Sequence, residues 1–162
     1  MRAPLTGLIA AVALIPATSF AACQGQTVLS CPIGKKQLEV CLHGGTATYS
    51  FGPKGRAELT LSSPIETLDY TPWNGIGRSI WEAVTFHNDG VSYEVWASVD
   101  RMADNPIYEG GVNVLRGDAL VAQLSCDKGS KVSDLDPLYQ AKRAAGQCWN
   151  HETFEWGPPC PG

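Results

Sequence analysis

The chain has 162 residues, of which 44% are hydrophobic and 17% charged, with six cysteines and a formal net charge of −4. A chain of this size fits one domain with a real core, modest enough for cross-links to help. Its acidic groups are scattered and no basic block is present to neutralise a phosphate backbone, which excludes nucleic acid as an expected partner.

Met1 and Arg2 make a short positive start, Leu5 to Leu14 is almost entirely apolar, Pro16 breaks the run, and Ala17 to Ala21 are mostly small. This is the layout of a cleaved export signal over residues 1–21, with Ser19 and Ala21 placed for a cut before Ala22. The apolar run is too short to span a bilayer, and no later stretch approaches about 18 apolar residues, so no transmembrane segment is expected. The expected mature protein has 141 residues and a charge of −5 once Arg2 is removed. Its expected location is the periplasm or the extracellular space. Phe20-Ala21-Ala22-Cys23 also looks like a degenerate lipid-attachment box. Cysteine parity disfavours an anchor at Cys23: Cys23, Cys31, Cys41, Cys126, Cys148 and Cys160 can form three disulfides, whereas acylation leaves one orphan thiol. An oxidising compartment preserves such bridges.

Along the mature chain, short apolar stretches alternate with Gly, Pro and Asn. Thr27 to Cys31 and Gln37 to Leu42 flank a turn at residues 32–36, with Leu38, Val40 and Leu42 alternating at the period of a half-buried strand. Thr46 to Phe51 and Arg56 to Leu61 read as a hairpin around Gly52-Pro53-Lys54-Gly55, with Ala57, Leu59 and Leu61 on one face. Glu66 to Tyr70 is a further short strand. The clearest hairpin is Ser79 to Phe86 with Val91 to Ala97, joined through Asp89-Gly90, a pair suited to positive φ. Val112 to Leu115 and Leu120 to Cys126 make a last pair around Arg116-Gly117-Asp118. Seven to nine short strands without repeated long helices predict a mainly β fold, an antiparallel sandwich or small barrel.

The C-terminal part differs. Leu135 to Gln147 reads as one helix, with Asp134 near its start and Gly146 near its end. A Trp- and Pro-rich tail follows, which a Cys148–Cys160 bridge would keep ordered. The expected organisation is a β domain over 22–130 with a helical extension over 131–162 packed on it. Six cysteines allow fifteen pairings; Cys31–Cys126, joining the first and last β segments, and Cys23–Cys41 are the expected companions.

No recognisable nucleophile–base pair, zinc helix, phosphate loop or Cys-x-x-Cys is present, so no catalytic residue, metal site or cofactor is expected. His43, His87 and His151 sit in turns or the tail. Glu82 and Glu94 lie on facing strands and could approach as paired carboxylates, although solvated strand-face acids are the plainer expectation. Trp81 and Trp96 read as core residues, or else as an exposed sugar-stacking surface. The segment from Tyr70 to Ser79 stands out. It combines Trp73, Asn74, Gly75, Gly77, Arg78 and Ser79 between two strands, and loops on rigid sheets are where recognition concentrates. Trp and Arg are the residue types enriched at binding hot spots.

The stretch from Thr27 to Cys41, then Tyr49-Ser50-Phe51-Gly52, Gly55-Arg56-Ala57-Glu58-Leu59, the glycine-rich loop, the hairpin Ser79 to Ala97 and Leu124-Ser125-Cys126 resembles a group of uncharacterised secreted proteins of Gram-negative bacteria. More distantly, the layout is similar to the small periplasmic lysozyme inhibitors. That likeness implies an antiparallel barrel or sandwich with an early Cys bridged to one after the last strand. It also implies a loop bearing Ser and a basic residue, here Ser79 and Arg78, inserted among a lysozyme's catalytic carboxylates. The chain departs from that pattern in lacking Ser-Gly followed by Tyr in the loop, and in its Trp-rich extension. The expected function is a non-enzymatic binding protein, with a basic cell-wall hydrolase or another envelope component as partner. A structural envelope protein, a glycan-binding module using exposed Trp residues and a hydrolase with scattered residues are the alternatives.

Overall fold

The structure, a computed structural model, describes residues 23–130, 134–157 and 160. The export signal expected over 1–21 lies outside the described residues. Nine strands form two antiparallel sheets. The first is a meander of β1 (Gln26–Ile33), β2 (Lys36–His43), β3 (Thr46–Pro53) and β4 (Leu59–Pro64). The second is a meander of β5 (Asp69–Thr71), β6 (Ser79–Asn88), β7 (Val91–Asp100), β8 (Tyr108–Arg116) and β9 (Ala119–Ser125). One helix, α1 (Asp136–Ala144), and a small hairpin of β10 (Cys148–Asn150) and β11 (Glu155–Gly157) follow.

The fold is mainly β and antiparallel, as the alternation predicted, but no barrel closes. Each meander runs in chain order from one edge strand to the other, and the tail adds a third, two-stranded sheet. The tail's lack of apolar periodicity concealed that hairpin, because Trp149 and Trp156 face each other across a single pair of three-residue strands. The strand expected over Glu66 to Tyr70 starts only at Asp69, and β4 starts at Leu59, with Arg56 to Glu58 in the preceding loop.

Alternation along each strand puts one face of each sheet into a shared core. Leu29, Leu38, Val40 and Tyr49 come from the first sheet; Tyr70, Val84, Phe86, Val95 and Val112 come from the second; Leu135 and Leu138 come from α1 and its approach. Tyr49 bridges the layers, its ring 5.7 Å from Phe86 and 5.6 Å from Tyr93. Burial holds the Tyr49 hydroxyl protonated, raising its pKa well above the ordinary phenol value.

Three disulfides tie the fold, Cys23–Cys41, Cys31–Cys126 and Cys148–Cys160, and these are the pairs expected from the sequence. Cys31–Cys126 closes a separation of 95 residues between the first strand and the end of β9, joining the two sheets through the core. Cys23 has its sulfur in a bridge, so that thiol is not free for a lipid thioether in this state.

The C-terminal segment is pinned by an aromatic cluster. Trp156 stacks on Tyr70 at 5.9 Å, meets Tyr139 edge-on at 5.3 Å, and donates its indole N–H to the Tyr70 carbonyl at 2.6 Å. Lys142 is buried beneath it at 1% exposure, with its ammonium 5.2 Å from the Trp156 ring and donating to Gln147 Oε1 at 3.1 Å. Burial lowers the Lys142 pKa. The helix opens with Leu135 as N-cap and no side-chain cap, so Asp134, near the start, does not cap it.

Candidate binding surface

Five segments converge at one end of the second sheet: the end of β5, the loop 72–78, the start of β6, the end of β7 and the loop 101–107. Ser79 pairs with Asp100 in the β6–β7 ladder, which brings the two loops side by side. The Arg101 N–H donates to the Arg78 carbonyl at 3.3 Å. The Arg101 guanidinium lies 5.0 Å from the Trp73 ring centre, in cation–π geometry.

The loop 72–78 is held internally as well. The Trp73 indole N–H donates to the Ile76 carbonyl at 3.1 Å, and Asn74 Oδ1 accepts the Ile76 N–H at 3.0 Å. Gly75 and Gly77, at φ 84° and 100°, supply the left-handed turns that put Ile76 at the tip. Ile76 is 75% exposed, with Met102 and Ile107 exposed in the neighbouring loop.

Arg78, expected as the basic residue that the loop presents, is exposed; its Nε–H bonds both Asp100 oxygens, at 2.8 and 2.7 Å, and Asp100 also accepts the Met102 N–H at 3.0 Å. The guanidinium holds the Asp100 carboxyl below its ordinary pKa. Arg78 therefore locks the two loops together at the surface, with Ser79 exposed beside it. Trp73, Asn74, Gly75, Gly77 and Arg78 thus shape the loop, and its exposed large apolar side chain is Ile76, which the sequence had not singled out. A large apolar residue between two glycines was the available signal.

The expectation of a core position for Trp81 and Trp96 is overturned. On β6 and β7 the inward positions are Val84, Phe86, Val95 and Ala97, so the opposite parity, with Trp81 and Trp96, faces outward. Trp81 is 42% exposed and Trp96 is half-buried. The same parity separates the two glutamates of the hairpin. Glu82 points inward and Glu94 outward, so the pair cannot share a proton or a substrate.

Glu82 instead supports the interior. It accepts the Tyr70 hydroxyl at 2.6 Å and the Leu135 N–H at 2.9 Å, beside a cavity of about 280 Å³ that Asp134 and Asp136 also line. Burial raises its pKa, opposed by these two hydrogen bonds. His87 is exposed, with Nδ1 at 3.0 Å from Ser92 Oγ and Nε2 at 3.5 Å from Asp69. His43 and His151 are also exposed. Among the described residues, no group of three His, Cys, Asp or Glu side chains is placed to hold a metal. No described helix is long and apolar enough to cross a membrane.

A larger groove, about 430 Å³, lies on the outer side of the first sheet under the loop 53–57. Ser30, Gln37, Glu39 and Ser50 floor it. Gln37 Nε2 donates to Ser30 Oγ at 2.7 Å, so part of that floor satisfies itself. No family model, curated protein or solved structure matches the chain.

Proposed function

We propose that the chain is a secreted, non-enzymatic binding protein that acts in the periplasm or outside the cell and docks on a protein partner through the 70–79 loop. The observation that carries this is the preorganised tip. Ile76 is 75% exposed on a loop fixed by Trp73, Asn74, the Arg78–Asp100 pair and Arg101. A loop ordered before contact loses little entropy on binding, so its exposed apolar area converts efficiently into affinity. Three disulfides, with no free cysteine among the described residues, support an oxidising location.

A basic cell-wall hydrolase of the lysozyme class is the partner we favour. The chain's net charge of −4 speeds encounter with such a protein, while fit at the tip sets specificity. Arg78 serves this reading as a positioning residue, because its charge is already spent on Asp100. The test is titration of mature protein, disulfides intact, against a panel of lysozymes, reading residual muralytic activity. Saturable loss near a stoichiometric ratio supports the proposal, and full activity at every ratio with every lysozyme rejects the inhibitor role.

A further inference from the structure

The outer face of the second sheet is a separate surface that the loop-docking proposal does not use. Register places Trp96 directly between Ala83 on β6 and Gly111 on β8, with Trp81 beside Ala83 on the same side. Among the described residues, no helix or strand is laid across this face. Ala83 and Gly111 are nonetheless buried, although both face outward. The two indoles are the largest side chains next to them in the register. Gly111 also cannot carry a Cβ, which would collide with the Leu124 carbonyl, so the place beside Trp96 stays flat.

The surroundings of the indoles are polar. Thr85, Glu94, Asn113 and Gln123 form the next row across the sheet, and Ser98 and Glu109 flank Trp81 on the other side. Asn113 Nδ2 donates to Glu94 Oε1 at 2.8 Å. The Trp96 indole N–H and Asn113 Oδ1 are buried without hydrogen-bond partners.

From these features we infer that this face binds a glycan, with sugar rings stacked on Trp81 and Trp96 and their hydroxyls met by the polar rows. Charge defines the class. The strand positions on this side carry Asp69, Glu94, Asp100 and Glu109 but no lysine or arginine; of the arginines at the loop end, Arg78 is paired with Asp100 and Arg101 lies against the Trp73 ring. The ligand is therefore a glycan of neutral or amine-bearing rings. A carboxylated or sulfated chain would meet like charge along the strands of this face.

The experiment is retention of mature protein on insoluble chitin, chitosan and cellulose, with alginate beads as the anionic comparison, at low ionic strength. Wild type is expected on at least one of the first three and absent from alginate. Trp81→Ala, at an exposed position, is expected to weaken retention by about tenfold or more, as loss of an aromatic stacking contact does. Ile76→Asp, in the docking loop, is expected to leave retention unchanged, so this inference and the loop proposal fail independently. Capture by none of the three, preferential capture by alginate, or undiminished retention of Trp81→Ala with its unfolding midpoint unchanged would each overturn it. Loss of lysozyme binding in Trp81→Ala without any glycan retention would reassign the face to a protein partner.

Discussion

Across the middle of the first sheet the outward row is Ser30, Glu39, Ser50 and Thr60, followed by Cys41, Thr48 and Ser62. Across the middle of the second, it is Ala83, Trp96, Gly111 and Ser125, with Trp81 adjoining. Both sheets give their other face to one core, so the core's demands on them are alike. The first outer face is what stability and solubility require: small polar groups, some bonded to each other, such as Thr48 with Ser62 at 3.3 Å. The second spends two tryptophans where no core needs them. Scattered exposed apolar residues need no explanation, but large rings grouped on the outer face of one sheet do. The contrast teaches that outward apolar area is best judged against an equivalent sheet in the same molecule, and it is the basis of the proposed glycan surface.

Substitutions can break this contrast. The largest effect is expected from replacing Cys31 and Cys126 together by Ala, which frees the tie between the sheets. Its separation of 95 residues corresponds to about 4–5 kcal/mol of chain-entropy stabilisation. Urea unfolding of the double variant reads it, and a midpoint near wild type would show that the core alone fixes the sheets. On an inner face, Leu38→Ala is expected to cost about 2–5 kcal/mol through lost burial and the cavity left behind. Leu38 has no exposed surface.

At the edge of the core, Glu82 sharpens the comparison through pH. Glu82→Ala strands the Tyr70 hydroxyl and the Leu135 N–H and is expected to cost about 1–3 kcal/mol. The folded-state pKa of Glu82 lies above its unfolded value of 4.5, so the folded protein holds the proton more tightly. That contribution to stability is complete below pH 4.5 and is lost as the pH climbs through the raised value. Glu82→Gln keeps an acceptor and should flatten this part of the stability profile, and an unaltered slope would assign it to another group. The smallest effect belongs to the outer face. Trp81→Ala should change stability by less than about 1 kcal/mol, as expected away from core packing, and a loss as large as that of Leu38→Ala would make the ring structural.

Most strands and the hairpin turns were legible because apolar alternation and Asp-Gly or Gly-Pro punctuation act locally. Two of the disulfide pairs were legible from place in the chain: Cys31–Cys126 joins the first and last β segments, and Cys148–Cys160 encloses the tail. Which face of β6 and β7 turns inward was not. Both parities carry large apolar residues, so the period of two fixes the alternation without choosing a side, and that choice depends on Tyr49 and Phe86 meeting across the layers. The same ambiguity made Glu82 and Glu94 look like partners. In the loop, Arg78 was visible as a cation, but its partner Asp100 stands 22 residues away and is supplied only by the ladder. The tip at Ile76 emerged from two positive φ values that glycine permits without specifying their direction.

Binding of wild-type mature protein, Ile76→Asp and Trp81→Ala to the same lysozyme panel, measured by direct isotherms at one salt concentration, tests the loop-docking claim. We predict saturable binding by wild type, at least about tenfold weaker binding by Ile76→Asp, as for a truncated hot spot, and unchanged affinity for Trp81→Ala. Equal binding by wild type and Ile76→Asp, or no binding by wild type to any member, would contradict it.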